Sequence, residues 1–202
     1  MRRSQDHFGR RAKKEGYPAR SVYKLQEIDR RLNLFTQGQR VLELGAAPGS
    51  WTMYASERIG DKGLVVSVDL QPLGVALPSN TKFIQADIFA IDIQVLMSEN
   101  PHFDVVISDM APSTSGSRHR DQYLSYELFM RALFIADAVL ASSGSFVGKL
   151  FQGPEFSQAR AALAAAFSTT RILKPKASRK ESYELFMVGR QRKPDLRPKE
   201  SL

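Results

Sequence analysis

Val41-Leu42-Glu43-Leu44-Gly45-Ala46-Ala47-Pro48-Gly49-Ser50-Trp51 decides how this chain reads. An apolar run, a turn with two glycines and a helical pattern follow one another directly. Gly45 and Gly49 let backbone approach a ligand closely, and Pro48 stiffens the turn. In an open α/β sheet, ligands bind outside the carboxyl ends of the strands, beside such a first turn. The dinucleotide fingerprint G-x-G-x-x-G would need glycine where Ala47 and Ser50 stand. That mismatch weighs against a nicotinamide dehydrogenase.

Working outward, apolar runs recur at Leu64–Val68, Phe83–Ile84, Val105–Ile107 and Phe146–Val147, with two further β-like runs near 169–174 and 184–188. Helical patterns lie near 50–58, 92–99, 121–142 and 154–167. Upstream, Ser21 is placed to cap an amphipathic helix carrying Val22, Leu25, Ile28 and Leu32. Gly144 stands just past the 121–142 pattern, where a terminating glycine belongs. Near-continuous apolar strands alternating with helices predict an α/β fold, a mostly parallel seven-stranded sheet with helices on both faces. No internal repeat is visible.

Two acids extend the reading of the glycine turn. Asp69 ends the second strand, where a carboxylate can hold both hydroxyls of a ribose. Asp87 ends the third, where it can accept from an adenine amino group. In sequence these elements describe a nucleoside pocket rimmed by carboxylates, suited to a cationic ligand rather than a pyrophosphate. Leu70 and Ile88, each following one of the acids, are counted into the same pocket.

Length and charge agree with one enzyme-sized unit. The chain has 202 residues, 43% hydrophobic and 25% charged, enough for one domain with a sizeable core. The longest apolar stretch, Ala132–Ala141, contains Asp137 and is about half a membrane span, so no membrane segment is read. No apolar signal region follows the basic N-terminus, and a cytoplasmic location is expected. The absence of cysteine removes disulfides and thiolate nucleophiles, and the scattered His7, His102 and His119 make no metal site. The formal charge of +8 is uneven: residues 1–31 and 171–202 carry +6 each, flanking a middle of −4. Concentrated positive charge attracts phosphate backbones without regard to sequence. The polar tail 190–202, with two prolines, is expected to lack fixed structure.

GAAPGSW, followed by VDLQP and later SDMAPSTSG, resembles the FtsJ/RrmJ ribose 2′-O-methyltransferases over about residues 17–188. Glu43 stands where that family usually has Asp, and Ser50 where Gly is common. The resemblance implies a Rossmann-like fold using S-adenosyl-L-methionine. Gly45, Ala47, Pro48, Gly49, Trp51, Asp69, Leu70, Asp87, Ile88 and Asp109 would then contact the cofactor. Residues 1–189 would form a single methyltransferase domain, with 1–20 as its basic N-terminal segment.

Phe103-Asp104-Val105-Val106-Ile107-Ser108-Asp109-Met110-Ala111-Pro112 reads as a buried strand delivering Asp109 to the sheet edge, at the switch point of such a sheet. Enzymes that methylate base amines carry a proline–aromatic motif there, and Met110 and Ala111 supply no aromatic ring. Methylation through a cysteine adduct is excluded by composition. Gly144-Ser145-Phe146-Val147-Gly148-Lys149-Leu150 fails as a phosphate-binding loop, having three residues between its glycines and no hydroxyl after the lysine. What remains is a strand presenting Lys149, a candidate general base toward an alcohol.

In the family a Lys-Asp-Lys-Glu tetrad surrounds the target hydroxyl. The resemblance carries it onto Lys24 (in RSVYKL), Asp109 (SDMAP), Lys149 (VGKL) and Glu184 (in KASRKESYE). It implies in-line transfer to a ribose 2′-oxygen, with Lys149 taking the proton, Asp109 orienting Lys149, and Lys24 and Glu184 steering the ribose. RNA would be held by Arg2, Arg3, Arg10, Arg11, Lys13, Lys14 and Arg20 on one side and Lys174, Lys176, Arg179 and Lys180 on the other. Such contacts position a backbone without reading sequence. Bacterial-type members methylate a uridine ribose in large-subunit rRNA on the ribosomal subunit, so rRNA is the expected partner of a monomer without metal. A tRNA or mRNA-cap substrate, or a non-catalytic RNA-binding assembly factor, are the alternatives.

Overall fold

The computed structural model describes residues 7–99, 102–113, 115–178 and 182–193. Thirteen elements are present among them: α1 (His7–Lys14), α2 (Val22–Leu32), β1 (Arg40–Leu44), α3 (Ser50–Ile59), β2 (Leu64–Asp69), β3 (Thr81–Gln85), α4 (Ile93–Glu99), β4 (Phe103–Ser108), α5 (Arg118–Val139), β5 (Leu140–Phe151), α6 (Phe156–Ala166), β6 (Phe167–Leu173) and β7 (Glu184–Arg192). The strands form a seven-stranded sheet in the order β3-β2-β1-β4-β5-β7-β6. Only β7 runs antiparallel to its neighbours, because it returns between β5 and β6.

Alternation along the strands assigns each face its helices. Leu42, Leu44, Val66, Val68 and Val106 turn toward one face, against Leu96 of α4, Phe129 and Leu133 of α5 and Leu163 of α6. Val41, Val65, Val105, Ile107 and Val147 turn to the other, against Leu25 and Ile28 of α2 and Trp51 and Ala55 of α3. Both faces are therefore dry, as near-continuous apolar strands require. β1 pairs with β2 on one side and β4 on the other, so the strand order reverses between β1 and β4. A crevice opens at the carboxyl ends of these strands.

Four local expectations change. Ser21 does not cap α2: its backbone is already helical and its side chain makes no capping bond. Gly144 does not end a helix, since α5 stops at Val139 and passes straight into β5. It lies where β5 slips register against β4, and a Cβ there would sit 2.8 Å from the Ala141 carbonyl oxygen. The tail expected from residue 190 starts later, because Arg190–Arg192 continue β7; residues 194–202 lie outside the described residues. The periodicity also missed α1, a short and strongly basic helix. Among the described residues no helix is long and apolar enough to cross a membrane, and no group of three His, Cys, Asp or Glu side chains is arranged to hold a metal.

Candidate active site

The glycine turn is built by backbone bonds that leave its inner edge open. Gly45 and Ala46 both donate to the Val68 carbonyl (2.9 and 3.2 Å), fixing the turn to the end of β2. Gly45 sits at φ +82°, and a Cβ there would stand 2.5 Å from Met110 Cγ and 3.1 Å from the Met110 backbone. Gly49 at φ +108° starts α3, and a Cβ there would meet Val75 at 2.5 Å. Both positions need glycine on conformation and on space.

Asp69 secures the same turn. Its Oδ2 accepts from the Ala47 N–H and its Oδ1 from the Gln71 N–H, each at 2.8 Å. Asp87 accepts from the Phe89 N–H (2.9 Å), closing a tight turn after β3. A cavity of about 470 Å³ lies between these loops and the end of β4. Of the expected cofactor contacts, Gly45, Ala47, Asp69, Leu70, Asp87, Ile88 and Asp109 line it. Its lining holds three carboxylates and no lysine or arginine, which favours a cationic ligand over a phosphate.

Pro48 and Gly49 shape the turn from outside the cavity lining, and Trp51 belongs elsewhere. Its indole is buried among the α2 and α3 residues, 5.7 Å from the Phe186 ring, and its Nε1 donates to the Ser21 carbonyl at 2.9 Å. Trp51 thus packs into the core between α2, α3 and the sheet rather than lining the cavity. Ser50 is buried beside it, its Oγ accepting from the Ala19 N–H (2.7 Å) and donating to the Ala19 carbonyl (3.2 Å). The turn is thus bolted to the segment that leads into α2. Gln71, Phe89, Met110, Ser113 and Leu128 also line the cavity. Phe89 was within reach of the β3 pattern, but nothing local marks Leu128, which arrives from the middle of α5.

Glu43 is buried on the other face of β1. Its Oε2 accepts from the Thr52 and Ser67 hydroxyls (2.5 and 2.7 Å). Burial, against those two bonds and with the negative charges of Asp109 and Asp69 adding to it, pushes its carboxyl up to about 7. The longer side chain at a position where Asp is usual reaches these hydroxyls and stays out of the cavity lining.

The four tetrad residues come from four elements and meet at the carboxyl end of the sheet. Lys149 Nζ lies 3.1 Å from Asp109 Oδ1 and also donates to the Asp109 backbone carbonyl. Lys24, on α2, lies 2.7 and 2.8 Å from the two Glu184 oxygens. All four side chains are largely buried. Burial alone would raise the Glu184 carboxyl, but Lys24, by charge and hydrogen bond, with Ser178 by hydrogen bond and Lys149 by charge, outweighs it and holds it below the ordinary value. The two ion pairs therefore act on one another. Amines and carboxylates so held can orient an alcohol and accept its proton.

The two basic ends also meet. Ala12 of α1, Val22 and Tyr23 of α2, and Ala177 share a small buried cluster, and Arg20 donates to the Ala177 carbonyl at 2.8 Å. Arg10, Arg11, Lys13 and Lys14 on α1 and Lys174 and Lys176 are exposed around it. Arg2, Arg3, Arg179 and Lys180 lie outside the described residues.

Comparison with known proteins agrees with this geometry. The sequence matches the family profile of FtsJ-like methyltransferases over residues 17–192. It is 50% identical over 188 residues to the ribosomal RNA large subunit methyltransferase E of Sorangium cellulosum, covering 93% of this chain and 88% of that one. It is 45% identical to the protein of the same name from Bdellovibrio bacteriovorus, covering 94% and 97%. A crystal structure from Plasmodium falciparum, assigned as a ribosomal RNA methyltransferase, superposes with a TM-score of 0.76 at 22% identity, covering 87% of this chain and 98% of that one. Human methyltransferase-like protein 13, in complex with SAH, gives 0.59 at 16% identity, covering 89% and 84%. At those identities the structural likeness bears on the fold, a Rossmann-like α/β methyltransferase. On the sequence match, this chain belongs to the FtsJ-like methyltransferase family.

Proposed function

We propose that the chain is an S-adenosyl-L-methionine-dependent ribose 2′-O-methyltransferase acting on large-subunit rRNA, with a uridine ribose as target. The observation that carries the reading is the pair of buried lysine–carboxylate contacts, Lys149–Asp109 and Lys24–Glu184, beside a cavity whose only charged lining groups are carboxylates. The names of the Sorangium and Bdellovibrio relatives support rRNA as substrate.

The residues fit the cofactor. Asp69 and Asp87 are placed for the ribose and adenine of a nucleoside, the bare edge of Gly45 leaves room for it, and Asp109 faces the cationic part. Bound there, S-adenosyl-L-methionine supplies an electrophilic sulfonium methyl. Lys149 takes or holds the proton of the 2′-hydroxyl, and Asp109 fixes the Lys149 amine through its carboxylate and its carbonyl. Lys24 and Glu184 orient the ribose for in-line attack. Positioning is the largest contribution, since well-aligned reactants reach effective molarities of about 10⁵ M or more. The exposed lysines and arginines around α1 and residues 174–176 hold the RNA backbone. In this reading the chain through Arg192 acts as one domain, as a cytoplasmic monomer.

The test is to map ribose methylation on large-subunit rRNA from cells lacking the protein and cells complemented with wild type or Lys149→Ala. One site should vanish, return with wild type and stay absent with the variant, while purified Lys149→Ala still binds adenosylhomocysteine. Unchanged rRNA with a methylated tRNA or cap would redirect the substrate. Full complementation by Lys149→Ala would remove Lys149 from the mechanism and favour a non-catalytic role.

A further inference from the structure

Beside the tetrad, side chains from α5, β5 and the residue before β7 make a second structure that the tetrad does not use. Tyr183 immediately precedes Glu184, and Phe151 lies two residues past Lys149, opposite Glu184 in the β5–β7 ladder. The Tyr183 ring stands edge-on to Phe151, with centroids 4.9 Å apart and planes at 75°. Arg118, the first residue of α5, holds its guanidinium carbon 5.1 Å from the Tyr183 centroid.

The backbone beneath is fixed from both sides. The Gln152 N–H donates to the Tyr183 carbonyl (2.9 Å), and the Phe151 N–H donates to Ser125 Oγ (3.0 Å). Gln122 of α5 donates to the Gln152 carbonyl. The backbone that carries both rings is therefore tied to its neighbours at β5, α5 and the entry to β7.

A Tyr–Phe contact at a sheet end, by itself, would be ordinary packing. Two features go further. Tyr183 and Phe151 are only half-buried, and Arg118 is exposed. Among the described residues no carboxylate forms an ion pair with Arg118. An exposed guanidinium over an aromatic ring one residue from the tetrad offers a π surface and a phosphate contact together. Unpaired RNA bases are bound by that combination, stacked on aromatic rings or guanidinium planes.

Resting on the function proposed above, we infer that Tyr183, Phe151 and Arg118 form a shelf that stacks one unpaired RNA base beside the ribose being methylated, with Arg118 on a neighbouring phosphate. Stacking tolerates any base, so the shelf selects unpaired RNA over duplex rather than a sequence.

The test compares wild type with Tyr183→Leu, Tyr183→Phe and Arg118→Ala, after thermal melts establish that each is folded. Tritium transfer from S-adenosyl-L-methionine into rRNA gives kcat and KM, and calorimetry gives the adenosylhomocysteine Kd. Tyr183→Leu keeps an apolar side chain but loses the π face, and should raise the RNA KM roughly 10- to 100-fold, the worth of one stacked base. Tyr183→Phe should rescue it. Arg118→Ala should lower the log–log salt slope of binding to labelled single-stranded RNA by about 0.7. The adenosylhomocysteine Kd should hold throughout. An unchanged RNA KM in Tyr183→Leu, or parallel loss of adenosylhomocysteine binding, would overturn the shelf. If wild type transfers no methyl to RNA, the proposed function fails instead. Anisotropy of labelled single-stranded RNA against its duplex then decides the shelf, equal binding or no effect of Tyr183→Leu sinking it.

Discussion

Lys24 and Glu184, 160 positions apart in the chain, lie with Nζ 2.7 Å from Oε1 and 2.8 Å from Oε2. The contact joins the first helix over the sheet to the start of its last strand. It is the point where the N-terminal helical layer closes onto the amino end of β7. Glu184 also feels the charge of Lys149, so this pair and Lys149–Asp109 form one electrostatic unit.

The Glu184 carboxyl is held below its ordinary value because Lys24 foremost, with Ser178 and Lys149, outweighs burial. A depressed folded-state value stabilises the fold fully above the unfolded value of 4.5 and fades as pH falls through the folded value. Urea unfolding of wild type and Glu184→Gln should therefore show a gap at pH 7 that narrows in acid below 4.5. A gap independent of pH would place the contribution in packing rather than charge.

Glu43 carries the opposite sign. Its carboxyl is raised to about 7, so folding takes up a proton between pH 4.5 and that value, and stability falls as pH rises through the window. The slope is at most about 1.4 kcal/mol per pH unit. Glu43→Gln keeps the shape without the charge and should flatten the pH–stability curve across that range. The check is a series of calorimetric melts from pH 5 to pH 8.

Gly45→Ala places a Cβ 2.5 Å from Met110 Cγ and 3.1 Å from its backbone, at a φ of +82°. The left-handed backbone alone costs about 1–3 kcal/mol. The turn and the end of β4 must also separate to admit the methyl group. Adenosylhomocysteine binding should fall below detection by calorimetry while the variant still folds, with a lowered melting temperature.

Trp51→Phe separates the two roles considered for that residue. The variant keeps an aromatic ring near Phe186 but loses the Nε1 bond to the Ser21 carbonyl, worth about 0.5–1.5 kcal/mol. Melting temperature should fall while the adenosylhomocysteine Kd stays unchanged. A weakened Kd would return Trp51 to the cofactor side.

Asp69→Ala removes the acceptor for both the Ala47 and Gln71 N–H groups. The glycine turn keeps its Val68 bonds but loses the tie through Ala47, and cofactor affinity should fall by about tenfold or more for a lost charge-assisted bond. Titration of the variant with adenosylhomocysteine checks this, and an unchanged Kd would move the pocket elsewhere.

Much of the molecule was legible before any coordinate. Val41–Leu44 and Val105–Ile107 read as central strands because both their faces are buried, and sheet position follows from that apolar continuity. Asp69, Asp87 and Asp109 were legible as strand-end acids because a strand delivers its last residue to a fixed edge. Ser21 and Gly144 turned out differently for a shared reason: each was judged by its neighbours in sequence. Ser21 and Trp51 are satisfied across 30 residues by one another's chain, and Gly144 by a register slip against β4.

The sequence by itself determined the open α/β sheet, the glycine turn and the acids at its rim, since strand periodicity and turn chemistry are local properties of the chain. Tertiary structure alone decided which charges meet. It set Lys24 on Glu184, brought the two basic ends together around Ala177, and laid Arg118 on Tyr183. Charges couple through space rather than along the chain, and burial at the sheet's edge sets how strongly they do so.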